Sequence, residues 1–211
     1  MSARLLYVMD PMCSWCWGFA EVADALVEQA RAGGMALQLV VGGLRTGSGA
    51  ALEPATRRYI LEHWQAVAKT TGQPFRFQDA LPDGFVYDTE PACRAVVAAR
   101  SLDPDSAWRL VKLIQQAFYL DGRDVTRAAL LTELAEQAGL PRIEFAEAFD
   151  SQEQHAATAS DFAWVQDLGI AGFPTLLAER NGQMALLTNG YQSLDELSPL
   201  LGRWLERAAS A

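Results

Sequence analysis

The stretch Asp10-Pro11-Met12-Cys13-Ser14-Trp15-Cys16-Trp17-Gly18-Phe19 decides the fold, because it sets a Cys-x-x-Cys pair at the joint between two regular elements. Before it, Arg4 to Met9 (RLLYVM) is a short apolar run rich in strand formers, ended by Asp10-Pro11, and reads as a buried strand. After it, Phe19, Val22, Ala23, Leu26, Val27 and Ala30 recur at helical spacing. A helix is therefore expected from Gly18 to Arg31, stopped by Gly33-Gly34. Met35 to Val41 is a second continuous apolar run, closed by Gly42-Gly43. Strand, helix and strand in this order form a βαβ unit with a right-handed crossover and parallel strands.

From Thr46 to Gln166 no strand pattern is visible, and the chain reads as successive helices. They are expected at Glu53–Thr71, Glu90–Ser101, Ser106–Leu120, Thr126–Ala138, Arg142–Phe149 and Ser151–Leu168. Thr89-Glu90-Pro91 places a capping residue before a first-turn proline, while Gly72, Gly122 and Gly139-Leu140-Pro141 supply stops. Strand signals return after Gly172. Thr175–Arg180 and Gln183–Thr188 flank Asn181-Gly182, and a type I′ hairpin turn needs positive φ at both central residues. Asn189-Gly190 ends the hairpin. Ser193 then caps a helix whose Leu194, Leu197, Leu200, Leu201, Trp204 and Leu205 share one face.

With 211 residues, half of them apolar and a fifth charged, the chain belongs with ordinary globular proteins and can bury a sizeable core without staples. Collagen-like, low-complexity and disordered classes are excluded. Seventeen basic against twenty-six acidic side chains give a net charge of −9. Such a surface repels nucleic-acid phosphates and anionic lipid, so neither partner is expected. No run is long enough to cross a membrane, and with Met1 followed directly by a strand no secretory leader is expected; the chain reads as cytoplasmic. Three cysteines is an odd number, which speaks against a secreted disulfide framework.

A Cys-x-x-Cys in such a chain is half of a zinc site or a redox dithiol. Zinc needs four ligands, and beyond Cys13 and Cys16 only the isolated Cys93, His63 and His155 remain, so no metal is expected. The redox reading gains from position. At a helix start, unpaired backbone N–H groups and the positive end of the helix dipole favour thiolate over thiol at Cys13. The first turn presents Cys13 and turns Cys16 inward, and two cysteines three apart there can meet in disulfide geometry.

Together with the βαβ unit ahead of a helical block, and with Gly172-Phe173-Pro174-Thr175 ahead of a hairpin and a terminal helix, the Asp10–Phe19 stretch resembles the DsbA-like branch of the thioredoxin superfamily in its cytoplasmic FrnE-type form. The resemblance covers essentially the whole chain. It implies an α/β thioredoxin fold (βαβ…ββα) with a large all-helical insertion, divided into 1–45, 46–166 and 167–211. It also implies that Cys13 is the nucleophile, Cys16 the resolving thiol, and Pro174 a proline with a cis bond to Phe173. Ser14, Trp15, Phe173 and Pro174 would bind substrate. The implied activity is thiol–disulfide exchange or disulfide isomerisation on protein or low-molecular-weight thiols and disulfides, without a resident cofactor and with glutathione as candidate co-substrate.

The chain departs from the better-known members at two places. Ser14-Trp15 stands where strongly oxidising DsbA proteins carry Pro-His, and Tyr7 stands where thioredoxin places a buried aspartate. Asp10, the nearest carboxylate, reads as a cap on the strand end rather than a proton carrier. Cys93, among apolar neighbours, reads as a buried small hydrophobe. His63 and His155 receive no role, and Gly42–Gly47 reads as a loop leaving a strand. Met12, Trp15 and Phe173 could form an apolar rim around the dithiol, whereas Trp17 and Phe19 are expected in the core. Two other functions stay open: a glutathione-dependent isomerase or transferase of the same fold, whose nucleophile position would carry serine, and a non-catalytic adaptor switched by its dithiol.

Overall fold

The computed structural model describes residues 3–47 and 49–209; Met1, on which the expectation of no leader leans, lies outside them. Among the described residues four strands form one mixed sheet in the order β2-β1-β3-β4. β1 (Arg4–Met9) pairs in parallel with β2 (Ala36–Val41), Leu5 opposite Leu37 and Met9 opposite Val41. On its other side β1 runs antiparallel to β3 (Thr175–Arg180), which pairs antiparallel with β4 (Gln183–Asn189). Asn181 and Gly182 both have positive φ, 54° and 79°, as the hairpin turn requires. Glu179 secures that turn: its carboxylate accepts the Gly182 N–H at 2.7 Å and pairs with Arg4 at 2.9 Å.

The helix expected over Gly18–Arg31 begins earlier and is interrupted. α1 (Ser14–Gly18) and α2 (Ala20–Ala32) meet at Phe19, whose φ of −91° and ψ of −3° depart from regular helix. Phe19 N–H still reaches the Trp15 carbonyl and Ala23 N–H the Phe19 carbonyl, so the distortion is local. The regular elements in the middle of the chain are all helices, α3 (Pro54–Thr71), α4 (Glu90–Leu102), α5 (Pro104–Tyr119), α6 (Ala128–Gln137), α7 (Arg142–Asp150) and α8 (Gln152–Asp167), with an irregular segment, 72–89, between α3 and α4. α5 starts two residues before Ser106, because Asp103 caps it by accepting the Asp105 and Ser106 N–H groups and Pro104 fills its first position. Thr89 stands at the start of α4 without capping it; its hydroxyl accepts the Arg45 N–H instead. α9 (Leu194–Ala209) opens on Ser193 and Glu196, whose carboxylate accepts both the N–H and the hydroxyl of Ser193.

Alternation along β1 divides the core. Leu5, Tyr7 and Met9 face a large cluster that also takes in Leu26 of α2, Leu201 of α9, and Val96 and Ile114 of the helical insertion. Leu6 and Val8 face a smaller cluster closed by Val165 and Trp164 of α8. The outer edge of β2 is covered rather than bare: Arg100 binds the Leu39 carbonyl, and Asp161 accepts the Val41 N–H at 3.0 Å while pairing with Arg100 at 2.8 Å. No described helix is long and apolar enough to cross a membrane.

Candidate active site

The dithiol sits where β1 stops. Cys13 N–H closes a turn onto the Asp10 carbonyl at 3.0 Å, and Cys13, extended at φ −85° and ψ 119°, is the residue from which α1 starts. Its backbone carbonyl accepts the Trp17 N–H, so the helix begins beneath the sulfur. Cys16, one turn on, is fully buried. Burial pushes the Cys16 thiol well above its ordinary value, and the neighbouring Cys13 adds to the effect. Cys13 is less exposed than the sequence suggests, at 4%. Cys13 nonetheless lines a cleft of about 320 Å³, whereas Cys16 does not. All three cysteines are free thiols.

A second segment meets the first from β3. The Phe173–Pro174 peptide is cis, and the Cys13 thiol donates to the Phe173 carbonyl at 3.7 Å. Phe173 borders the cleft, while Pro174 is buried behind it and its carbonyl accepts the Gly190 N–H at 2.7 Å. The Phe173 ring fits because residue 42 is glycine: a Cβ there would lie 1.9 Å from the ring. Of the six candidate site residues, Cys13, Ser14, Trp15 and Phe173 line the cleft, and Cys16 and Pro174 form its underside.

Asp10 joins three segments. One carboxylate oxygen accepts the Met12 N–H at 2.8 Å; the other accepts the Leu44 N–H at 2.7 Å and the Cys93 thiol at 3.3 Å. Complete burial raises the Asp10 carboxyl above its ordinary value, and these donors oppose the rise. Its capping role therefore extends from the strand end to the β2–α3 loop and to α4. Cys93 is buried, and burial followed by the charge of Asp10 pushes its thiol up.

Several expectations need correction. Met12 is no part of a rim, being fully buried with its carbonyl accepting from the Tyr87 hydroxyl at 2.6 Å. The loop after β2 is more than an outlet, since Leu44 and Arg45 line the cleft. His63 lies there too: its ring meets Trp15 edge-on at 6.0 Å and stacks on Tyr59 at 6.4 Å. His155 lies instead 3.5 Å from Glu90. Tyr59, Ile60, His63 and Trp64 recur at the i, i+4 spacing that puts residues on one face of α3, and two polar rings on that face were the available signal. Trp17 and Phe19 are core residues, as expected. Beneath the dithiol, Tyr7 is buried beside Cys16 with no hydrogen bond of ordinary geometry to its hydroxyl among the described residues; burial, and then the neighbouring Cys16, push the hydroxyl well up. Among the described residues no group of three or more His, Cys, Asp or Glu side chains is placed to hold a metal ion.

Comparison with known proteins bears on the fold that carries this cleft. A structure from Nitrosomonas europaea, described as a "putative protein disulfide isomerase", is 41% identical, with a TM-score of 0.91 over 98% of this chain and 99% of that one. The cytosolic disulfide reductase DsbM from Pseudomonas aeruginosa is 32% identical, with a TM-score of 0.79 over 96% of this chain and 98% of that one, and has also been solved with GSH. The ClpXP adapter protein SpxH of Halalkalibacterium halodurans is 23% identical over 80% of this chain, which spans only 56% of that protein's length. The model of the DSBA-like thioredoxin domain matches residues 4–202. On that match, over the strands and helices that assemble the Cys13–Cys16 cleft, the chain belongs to the DSBA-like thioredoxin domain family.

Proposed function

We propose that this protein is a disulfide reductase that works through a Cys13 mixed disulfide. The observation that carries the reading is the difference between the two sulfurs: Cys13 faces the cleft and touches the Phe173 carbonyl, while Cys16 is sealed beneath it. As thiolate, Cys13 attacks a substrate disulfide; a Cys13–S bond forms, the substrate S–S bond breaks, and one substrate thiolate leaves. Cys16 then loses its proton and attacks the Cys13 sulfur, releasing the second thiolate. Two electrons pass to the substrate, and the protein ends with a Cys13–Cys16 disulfide. The order of events has a physical cause. Burial holds the Cys16 proton and the neighbouring Cys13 adds to that hold; capping Cys13 removes the second part and leaves the first.

Trp15 and Ser14 would contact the substrate beside the sulfur, and the Phe173 peptide at the cleft margin, on a loop backbone fixed by Pro174, would pair with an extended substrate segment. No resident cofactor enters this scheme; low-molecular-weight thiols such as glutathione would return the dithiol to its reduced form. The resemblance to a cytosolic reductase, solved also with GSH, supports this direction of flow and a cytoplasmic setting. A glutathione transferase or isomerase reading fits less well, since the nucleophile position carries Cys13 with a second thiol beneath it rather than serine.

The resemblance to an adapter protein supports one rival, a partner-binding protein without turnover. Insulin reduction driven by glutathione separates the two. The expected result is multiple turnover by the wild type and none by Cys13→Ser. Negligible turnover by the wild type, with a partner still captured after both Cys13 and Cys16 are replaced, would favour the adaptor.

A further inference from the structure

The cleft differs in charge from the rest of the molecule. The protein carries a net charge of −9, yet the residues lining the cleft include no Asp or Glu and do include Arg45 and His63. Their surroundings are apolar: Trp15, Tyr59, Ile60, Trp64, Tyr87 and Phe173. Arg45 is held firmly at its backbone. Its carbonyl accepts the Thr89 N–H at 2.8 Å, its own N–H reaches the Thr89 hydroxyl at 3.3 Å, and Asp10 anchors the preceding residue. Its guanidinium lies 5.4 Å from the centre of the Tyr87 ring, and the Tyr87 hydroxyl binds the carbonyl of Met12, the residue before Cys13. No carboxylate pairs with Arg45 among the described residues. A guanidinium stacked on an aromatic ring, with its hydrogen-bonding fork unused, is suited to a carboxylate brought by a ligand.

We propose that Arg45 is the specificity-determining residue of the cleft and selects disulfides of carboxylate-bearing low-molecular-weight thiols, with His63 as a second polar contact. This rests on the dithiol reading above, and it names the class of small thiol, arriving as disulfide or leaving as thiol in the same reversible exchange, that the cleft prefers. The chemistry is one two-electron exchange: the substrate S–S bond is reduced to two thiols, and Cys13 and Cys16 are oxidised to one disulfide. A single turnover needs no other reductant.

The test mixes reduced, full-length protein with glutathione disulfide, which is anionic, with 2-hydroxyethyl disulfide, which is neutral, or with cystamine, which is cationic. Second-order rate constants are read by acid quench and mass spectrometry. The decisive quantity is the ratio of the glutathione disulfide constant to the 2-hydroxyethyl disulfide constant, from which a general defect in folding or in the dithiol cancels. Arg45→Gln should lower that ratio about tenfold, the size expected for one charge-assisted contact at a partly exposed site. Arg45→Lys should recover part of it, and the cystamine ratio should move the opposite way. An unchanged ratio in Arg45→Gln would overturn the proposal and leave the reductase reading standing. Wild-type protein that leaves all three disulfides intact would overturn both.

Discussion

At position 42 a side chain has no room, since a Cβ would fall 1.9 Å from the Phe173 ring. Gly42→Ala must therefore displace Phe173, whose carbonyl receives the Cys13 thiol. Overpacking of this kind costs about 1–3 kcal/mol, and a small shift of a positioning group can slow a reaction by roughly tenfold or more. The expected outcome is a folded variant with slightly lowered Tm and strongly reduced insulin turnover; unchanged turnover would show that Phe173 can move without consequence. Tyr7 behaves differently. Its hydroxyl is buried, and among the described residues only the Cys16 thiol interacts with it, short of a hydrogen bond of ordinary geometry, so most of the desolvation cost of a polar group is left uncompensated. Tyr7→Phe keeps the ring and its contacts with Phe19 and Trp108. It should raise stability by roughly 1 kcal/mol in a denaturant titration. A loss of stability would mean that the hydroxyl is bound.

Among the elements, the β3–β4 hairpin depends on Glu179, whose carboxyl is held below its ordinary value of 4.5 first by the Gly182 N–H and then by Arg4. A depressed carboxylate stabilises the fold above its unfolded value, and that contribution fades as pH falls through the lowered folded value. Glu179→Gln should thus lower Tm near pH 7, with the gap to wild type closing under acid conditions; a gap independent of pH would assign the effect to packing. The hairpin was legible in the sequence because Asn181-Gly182 states its turn chemistry locally, and β1 was legible because RLLYVM is uniformly apolar between clear breakers. The start of α5 was less so: Asp103-Pro104 looks like a turn until Asp103 is seen capping the Asp105 and Ser106 N–H groups. Thr89 had the appearance of a cap, yet its hydroxyl serves Arg45, 44 residues away in sequence. The two thiols and the Phe173-Pro174 pair could be picked out as motifs. The walls of the cleft could not, because Arg45, His63 and Tyr87 come from a loop, a helix face and an inter-helix segment that only the tertiary fold brings together.

Over the whole molecule, the four-stranded sheet presents Cys13 at the end of β1 and Phe173 just before β3, and the helical insertion supplies the remaining wall through α3 and the segment leading to α4. One hydrophobic cluster runs from Leu5 and Tyr7 through Cys93 and Ile114 to Phe145, so the insertion and the sheet share a core, and Asp10 links both at the dithiol. In the proposed mechanism this assembly makes Cys13 the attacking sulfur and Cys16 the resolving one. Intact-protein mass spectrometry with peptide mapping, after reduced protein meets glutathione disulfide, distinguishes the two roles. Wild type should finish with an internal Cys13–Cys16 disulfide, Cys16→Ser should hold a persistent glutathione adduct on Cys13, and Cys13→Ser should hold none. An adduct carried by Cys16 or Cys93 in these proteins, or a Cys16→Ser variant that accumulates nothing, would contradict the account.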